Sequence, residues 1–325
     1  MSKSYQVLVV GGGAAGLATA ASLKKRDRSL EVAVVEPSDK HYYQPGWTMV
    51  GAGVFTKEDT IKDTDSIWPS DVIRIKDEVI KFDPKNNKVT LGNKTEVGYE
   101  MLVVASGLKL DWEAIEGLSE SLGENGVTSN YRYDLAPYTW ELVQEMNGKN
   151  AIFTQPPMPI KCAGAPQKAM YLSCDHWQKS GQLEGMNVSF CNAGPVLFGC
   201  ATYVPPLMKY VEKYGINLDF GHNLTKIDGP SKKAWFSVKK EGEDAKTIER
   251  SFDMIHVCPP QRAPDFIKNS PLANEGGWVD VNAETLQHNK FSNIFSLGDV
   301  TSTSNAKTVA AARKQAPIVA QNIIA

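Results

Sequence analysis

No excess of either charge sign runs through this 325-residue chain: 35 Lys and Arg stand against 37 Asp and Glu, a formal net charge of −2. Nucleic-acid binding needs clustered basic residues, and no such cluster occurs, so that partner class is excluded. No apolar run approaches the ~20 residues of a membrane-spanning helix. The first strand pattern begins within a few residues of Met1, leaving no room for a signal or transit peptide. The expectation is a chain that faces the cytoplasm or has already lost a leader. Cys162, Cys174, Cys191, Cys200 and Cys258 show neither C-x-x-C nor a metal-ligand spacing, so no metal site is expected. An odd cysteine count does not suit a secreted disulfide scaffold. Nor does a C-x-x-x-x-C pair follow the second apolar run, which excludes the dithiol chemistry of glutathione-reductase-type enzymes.

What is present is led by one stretch. The apolar run Val7 to Val10 feeds Gly11, Gly12, Gly13, Ala14, Ala15 and Gly16, and then a helix-forming run from Leu17 to Lys25. Gly11, Gly13 and Gly16 have the G-x-G-x-x-G spacing: a tight turn, a close approach of backbone to a pyrophosphate, and close helix–strand packing. Phosphates then sit on a helix N-terminus, where free N–H groups and the dipole favour negative charge. Glu36 ends a second apolar run, Val32 to Val35, 20 residues past Gly16, where a ribose hydroxyl acceptor is expected. A dinucleotide site follows.

The length suggests roughly two domains. After Glu36 comes an aromatic loop, His41 to Trp47, that includes Gln44 and would reach along the cofactor. Asp71–Ile75, Val79–Phe82 and Lys88–Leu91 read as antiparallel strands of an inserted β-meander. Tyr99 to Val104 reads as a buried strand ending in the turn Ala105, Ser106, Gly107, which fits a chain passing a pyrophosphate. A helix is expected over Leu135–Met146. A second α/β pattern then opens: strands at 151–154, 188–191 and 217–220 alternate with helices at 167–178 and 201–214. Its first turn, Gln155 to Pro166, is rich in prolines that supply no N–H. The stretch from Gly194 to Gly199 also lacks the glycine spacing, so NAD(P)H is not expected as the electron donor. Strands at 236–239, 251–257 and 277–281 follow, with a charged hairpin tip over 239–246. The last strand, from Phe291, ends in Gly298 and Asp299 and leads into a helix over 307–324. In flavoproteins such an aspartate binds the ribityl chain, and the following helix aims its N-terminus at the flavin edge that becomes negative on reduction; Lys307 would add to that field. The pairing of this end with the N-terminal loop specifies FAD.

The fold class expected is therefore α/β, with two Rossmann-like domains and a β-meander insertion. Residues 1–115 and 281–325 would form the FAD-binding domain, and 116–280 a second domain without a nicotinamide fingerprint.

Among the cysteines Cys162 stands apart. It lies between Lys161 and Lys168, just before a helix start at Pro166, and helix N-termini and cations favour the thiolate that attacks sulfur or flavin. A buried or incidental cysteine is the alternative. The run Lys161, Cys162, Ala163, Gly164, Ala165, Pro166, Gln167, Lys168 resembles the active-site loop of sulfide:quinone oxidoreductases, in the subgroup containing the animal mitochondrial enzymes. His41 to Gly53 resembles that family's flavin-proximal loop, and Gly277–Val281 with Thr285–His288 resembles a late segment. The resemblance spans Tyr5 to Ala325. It implies a peripheral flavoenzyme of an inner or cytoplasmic membrane that oxidises sulfide and passes two electrons through FAD to a quinone. A small-molecule sulfur acceptor would receive the product. By matching position Cys162 resembles the cysteine that carries sulfane sulfur as a persulfide, and Lys168 and Glu120 resemble polar residues that assist proton transfer. No cysteine lies near Asn130, where another subgroup tethers its flavin, so non-covalent FAD is expected. The cofactor-binding set is Gly11, Gly13, Ala14, Ala15, Gly16, Glu36, Gln44, Val79, Ala105, Gly107, Gly298, Asp299 and Lys307. The family's second redox cysteine, and the C-terminal helices that dock on the membrane, would follow Ala325. Two rivals stand beside this reading: a related flavoprotein dehydrogenase with a cytochrome or other acceptor, and a non-catalytic FAD-binding protein.

Overall fold

The structure is a computed structural model and describes residues 3–239 and 244–325. The charged tip expected over 239–246 falls, at 240–243, outside the described residues. The chain divides into two compact units: one comprises the chain up to His41 with Lys62–Lys109 and Gln261–Ala325, the other Tyr42–Ile61 with Leu110–Pro260.

The first unit is built on a seven-stranded sheet. Ser4–Val10 is central and pairs in parallel with Val32–Val35 on one side and Glu96–Val104 on the other. Unbroken β-branched and leucine runs form these strands because both faces are covered, and Leu8, Val9, Val34, Val103 and Val104 have no exposed surface. The strand Glu96–Val104 has two partners along its other edge. Its first half pairs antiparallel with Lys88–Leu91 of the meander, and its second half pairs in parallel with Ile294–Ser296. Helix Ala14–Arg26 packs beside helix Val309–Ile324, and Leu23, Val319 and Ala320 share one apolar cluster with Val9 and Val34.

The second unit carries a five-stranded sheet in the order Val127–Thr128, Met254–His256, Asn150–Gln155, Asn187–Asn192, Asn217–Phe220, with every neighbouring pair parallel. Helix Ala165–Ser180 covers it. Met170, Cys174 and Trp177 on its buried face meet Phe153 and Phe190 of the sheet, and the Trp177 indole N–H donates to the Val143 carbonyl at 2.8 Å. Gly181, at φ +78°, ends this helix in the left-handed turn that glycine accepts without strain. A three-stranded antiparallel sheet, His222–Asp228, Lys233–Val238 and Lys246–Ser251, completes the unit.

Several expectations are corrected. The compact units divide at 109 and 260, beside the domain boundaries expected at 115 and 280, and residues 42–61 lie in the second unit. The cause is apolar packing. Trp47 and Val50 cluster with Ala136 and Tyr133, whereas Ala263, Ile267, Leu272 and Val279 complete the first unit's core. The strand expected at Asp71–Ile75 is Ile73–Ile75, and it pairs in parallel with Val32–Val35 instead of joining the meander. The strand expected over 251–257 is two, because Lys246–Ser251 and Met254–His256 join different sheets. Residues 277–281 form isolated bridges only. Among the described residues no helix is long and apolar enough to cross a membrane, and no cluster of three potential metal ligands occurs.

Candidate functional site

Strand register in the first unit brings three loops to one edge. Val10 faces Val35 and Val104, so the chain leaves the sheet side by side at Gly11, Glu36 and Ala105. Gly11 N–H donates to the Val35 carbonyl at 2.9 Å and Ala105 N–H to the Val10 carbonyl at 2.8 Å. Gly11 sits at φ +102°, and a Cβ there would lie 2.6 Å from the Ala105 carbonyl oxygen. A Cβ on Gly16 would lie 1.8 Å from the Gly11 carbonyl oxygen, so the third glycine is required by helix packing. A Cβ on Gly13 or Gly107 would meet nothing within 4 Å. Those two glycines border open space, which is what a phosphate cradle needs. The Glu36 carboxylate accepts from Gly12 N–H and Ser38 N–H, both at 2.8 Å. His41 lies close by: burial lowers its pKa, opposed by the Gly12 backbone and the Glu36 charge.

The strand end at Ser296 delivers Gly298 and Asp299 to the same edge, since Ser296 faces Val104. A Cβ on Gly298, at φ +76°, would come within 3.0 Å of the Ala15 Cβ. Ala15 therefore contacts this turn. Lys307 is buried over the Trp278 ring at 4.2 Å, and its ammonium donates to the Asp299 and Thr301 carbonyls at 2.8 Å each. Burial pulls its pKa down to about 8, with Asp299 opposing. It braces the Asp299 loop. Thr308 then caps the last helix, its Oγ1 accepting from Ala311 N–H at 3.1 Å. Ser106 Oγ is buried with no hydrogen-bond partner among the described residues, an orphan that a bound group would satisfy. Open glycines, two strand-end carboxylates, a capped helix N-terminus and this orphan hydroxyl fit a dinucleotide cofactor. Of the expected first-unit set only Val79 stands aside: it opens the outermost meander strand and is buried with Phe82 and Leu91.

The second unit holds the thiol. Cys162 is half-buried, with a left-handed φ of +49° that few non-glycine residues adopt. Its carbonyl accepts from Ala165 N–H at 2.8 Å as helix Ala165–Ser180 begins. The Lys168 ammonium lies 3.7 Å from its Sγ, so the motif's first and last chemical residues do meet. Cys174 and Cys191 are buried, and burial pushes each thiol up to about 12. Glu120 is exposed on the short helix Leu118–Ser121, which packs against His222–Asp228. No hydrogen bond joins it to Cys162 or Lys168 among the described residues. Gln44 belongs to this unit, and its Oε1 accepts from Lys161 Nζ at 2.5 Å.

Sequence reasoning missed a polar group at the carboxyl ends of the second sheet's strands. His256 has no exposed surface, and its Nε2 accepts from Asn130 N–H at 2.9 Å. Its other nitrogen, both side-chain heteroatoms of Asn130 and Gln155 Oε1 are buried without partners among the described residues. Burial lowers the His256 pKa to about 4, so the ring is neutral. Polar residues ending otherwise apolar strands were the available signal. Tyr131 was also missed. It is buried beside Cys258, donates from its hydroxyl to the Lys161 carbonyl at 3.3 Å, and burial raises its pKa well above the usual tyrosine value.

Known proteins share both the sequence and the fold. Residues 5–139 match the pyridine nucleotide-disulphide oxidoreductase family. The chain is 42% identical over 322 residues to the mitochondrial sulfide:quinone oxidoreductase of Dictyostelium discoideum, covering 98% of this chain and 70% of that protein. It is 39% identical over 315 residues to the mouse mitochondrial enzyme of the same name, covering 97% and 70%. The sulfide:quinone oxidoreductase structure from Aquifex aeolicus shares the fold, with a TM-score of 0.85 at 22% identity over 99% of this chain and 76% of that one.

Proposed function

The chain belongs to the sulfide:quinone oxidoreductase family, and from that premise we propose that Cys162 carries the sulfane sulfur in a cofactor-coupled oxidation of sulfide. The protein is an oxidoreductase with a flavin cofactor that takes electrons from sulfide and gives them to a quinone. In the net reaction the sulfide sulfur loses two electrons and becomes sulfane sulfur, and the quinone gains two electrons and two protons. The flavin supplies the two-electron relay between them.

The residues divide the work as follows. The Cys162 thiolate would form an S–S bond with the sulfide sulfur and hold the product as a persulfide; the sulfide S–H bond breaks, its proton leaves, and the two electrons released would pass to the flavin and on to the quinone. The Lys168 ammonium, 3.7 Å from Sγ, stabilises the thiolate that forms the bond and the persulfide anion that results, which eases proton transfer from sulfide. Glu120 is exposed on another element, and no contact supports its expected share of this transfer. Cofactor binding is by FAD held non-covalently: Gly11, Gly13, Ala14, Ala15 and Gly16 receive the pyrophosphate, Glu36 the ribose, and Asp299 the ribityl chain. Asn130, at the position where some relatives use a cysteine tether, offers only a carboxamide. Ala105 and Gly107 line the cradle and Gly298 and Lys307 hold the Asp299 turn, whereas Val79, buried in the meander, has no contact that supports its expected share. A quinone acceptor dissolves in lipid, so we assign the protein to the surface of an inner or cytoplasmic membrane, with a small-molecule acceptor removing the sulfur.

The observation that carries this reading is the Lys168–Cys162 contact inside the motif that resembles the family's active-site loop. Sulfide-dependent bleaching of the flavin's visible absorption tests it. Cys162→Ala is expected to keep its flavin and to lose sulfide-dependent bleaching by about a thousandfold. A variant that bleaches as fast as the parent would remove Cys162 from the reaction. Bleaching by NADH but not by sulfide would favour the dehydrogenase alternative.

A further inference from the structure

Lys161 precedes the thiol, yet it does not point at it in the way Lys168 does. Its Nζ donates to Gln44 Oε1 at 2.5 Å and lies 5.5 Å from the Trp47 ring centroid and 5.8 Å from that of Tyr131. An ammonium within about 6 Å of an aromatic face is attracted to the ring's negative quadrupole. The backbone of the same residue is also held, since Tyr131 donates from its hydroxyl to the Lys161 carbonyl at 3.3 Å. Tyr131 is itself fixed: it is buried with Ile160 and Cys258, and its N–H donates to Ser129 Oγ at 3.1 Å. Trp47 is anchored in turn beside Val50 and Ala136. The side chain and carbonyl of Lys161 are thus gripped from two separate segments, the aromatic loop and the strand-end segment around residue 131.

The peptide so gripped is the one entering Cys162, whose φ is +49°. A non-glycine residue keeps such a conformation only where its surroundings over-determine it. We propose that Lys161 is a positioning residue for sulfide oxidation. Held by Gln44, Trp47 and Tyr131, it keeps Cys162 left-handed, with its sulfur against the Lys168 ammonium. On this view Gln44 serves the thiol loop and not the cofactor directly. Lys168 acts on the sulfur, whereas Lys161 acts through the backbone. The proposal rests on the assignment of Cys162 above.

The test uses the flavin-loaded enzyme and two readouts. The first is alkylation of Cys162 by iodoacetamide at a fixed pH, followed by peptide mass spectrometry with exposed Cys200 as internal reference; it requires no sulfide chemistry. The second is the rate of flavin bleaching by sulfide. Lys161→Met is expected to slow both about tenfold while KM for quinone stays unchanged. Lys161→Arg, which keeps a cation for both rings and a donor for Gln44, is expected to recover to within about threefold of the parent. The double variant of Lys161→Met with Lys168→Met is expected to be no slower than the slower single variant, because one acts through the other. Tyr131→Phe and Gln44→Leu each release one grip and are expected to slow alkylation about threefold, which keeps the proposal testable if Lys161→Met fails to fold. Parent-like alkylation in Lys161→Met, equal loss in Lys161→Arg, or multiplying losses in the double variant would each overturn it. If alkylation responds as expected but bleaching is indifferent to Cys162→Ala, the positioning stands and the assignment of Cys162 falls instead.

Discussion

At the carboxyl edge of the first sheet the chain removes side chains, whereas past the corresponding edge of the second it crowds them together. Gly11, Gly13, Gly107 and Gly298 expose backbone, two of them bordering empty space, and Gly16 lets the helix pack close. The loop after Gln155 instead offers prolines, a cysteine and two lysines, with Trp47, Tyr131 and Gln44 packed around one ammonium. Backbone donors suit a phosphate chain common to many proteins, because peptide N–H groups carry no chemistry of their own. A thiol, a cation and aromatic faces suit a reaction, because charge and nucleophilicity reside in side chains. On the proposed reading the first edge fixes a cofactor and the second fixes what is done with it.

The contrast can be broken first at its most rigid point. Gly16→Val places a branched side chain where even a Cβ would lie 1.8 Å from a carbonyl oxygen. It is expected to cost about 3 kcal/mol or more and to yield protein without flavin, read from the ratio of flavin to protein absorbance. A pH titration sharpens the other side. His256 titrates near 4 in the folded second unit because burial disfavours its charge. The unfolded chain takes up that proton near the ordinary histidine value of ~6.5. The unfolded state therefore binds more protons between these values, and stability falls as pH drops from about 6.5 to about 4, by about 3 kcal/mol in all. Urea unfolding across that range should show this fall, and His256→Asn should flatten it. The smallest of the three changes concerns chemistry alone: Lys168→Met should leave flavin content and urea midpoint unchanged and slow sulfide bleaching about tenfold, worth ~1.4 kcal/mol.

What could be read before folding follows the same division. The glycine turn, its two flanking strands and Glu36 were legible because their geometry is local: spacing alone dictates a backbone that reaches a phosphate. The strands Lys88–Leu91 and Asn217–Phe220 were legible to the residue for a similar reason, each being a short polar–apolar alternation between turns. Partners were harder. Ile73–Ile75 looks like a meander strand, yet the edge open to it was that of Val32–Val35. Cys162 and Lys168 were found because one loop and the helix start after it carry both. Gln44 was singled out for the cofactor, although its partner Lys161 is 117 residues away, a pairing that no local pattern encodes. His256 and Gln155 escaped notice although each is a polar residue ending an otherwise apolar strand, because the hydrogen bonds left unmade there among the described residues emerge only on folding. The place of residues 42–61 in the second unit was not legible because Trp47 and Val50 say only that they will be buried, not beneath what.

The strand Glu96–Val104 has a consequence for how the protein is made. Half of one edge waits for Ile294–Ser296, so the sheet that bears the glycine turn is still open when most of the chain has left the ribosome. The second unit, whose long segment Leu110–Pro260 is continuous, can gather its strands earlier, while a contact spanning about 190 residues must close last. A ligand that needs both the glycine turn and the Asp299 turn can therefore be captured only after this long-range pairing has formed.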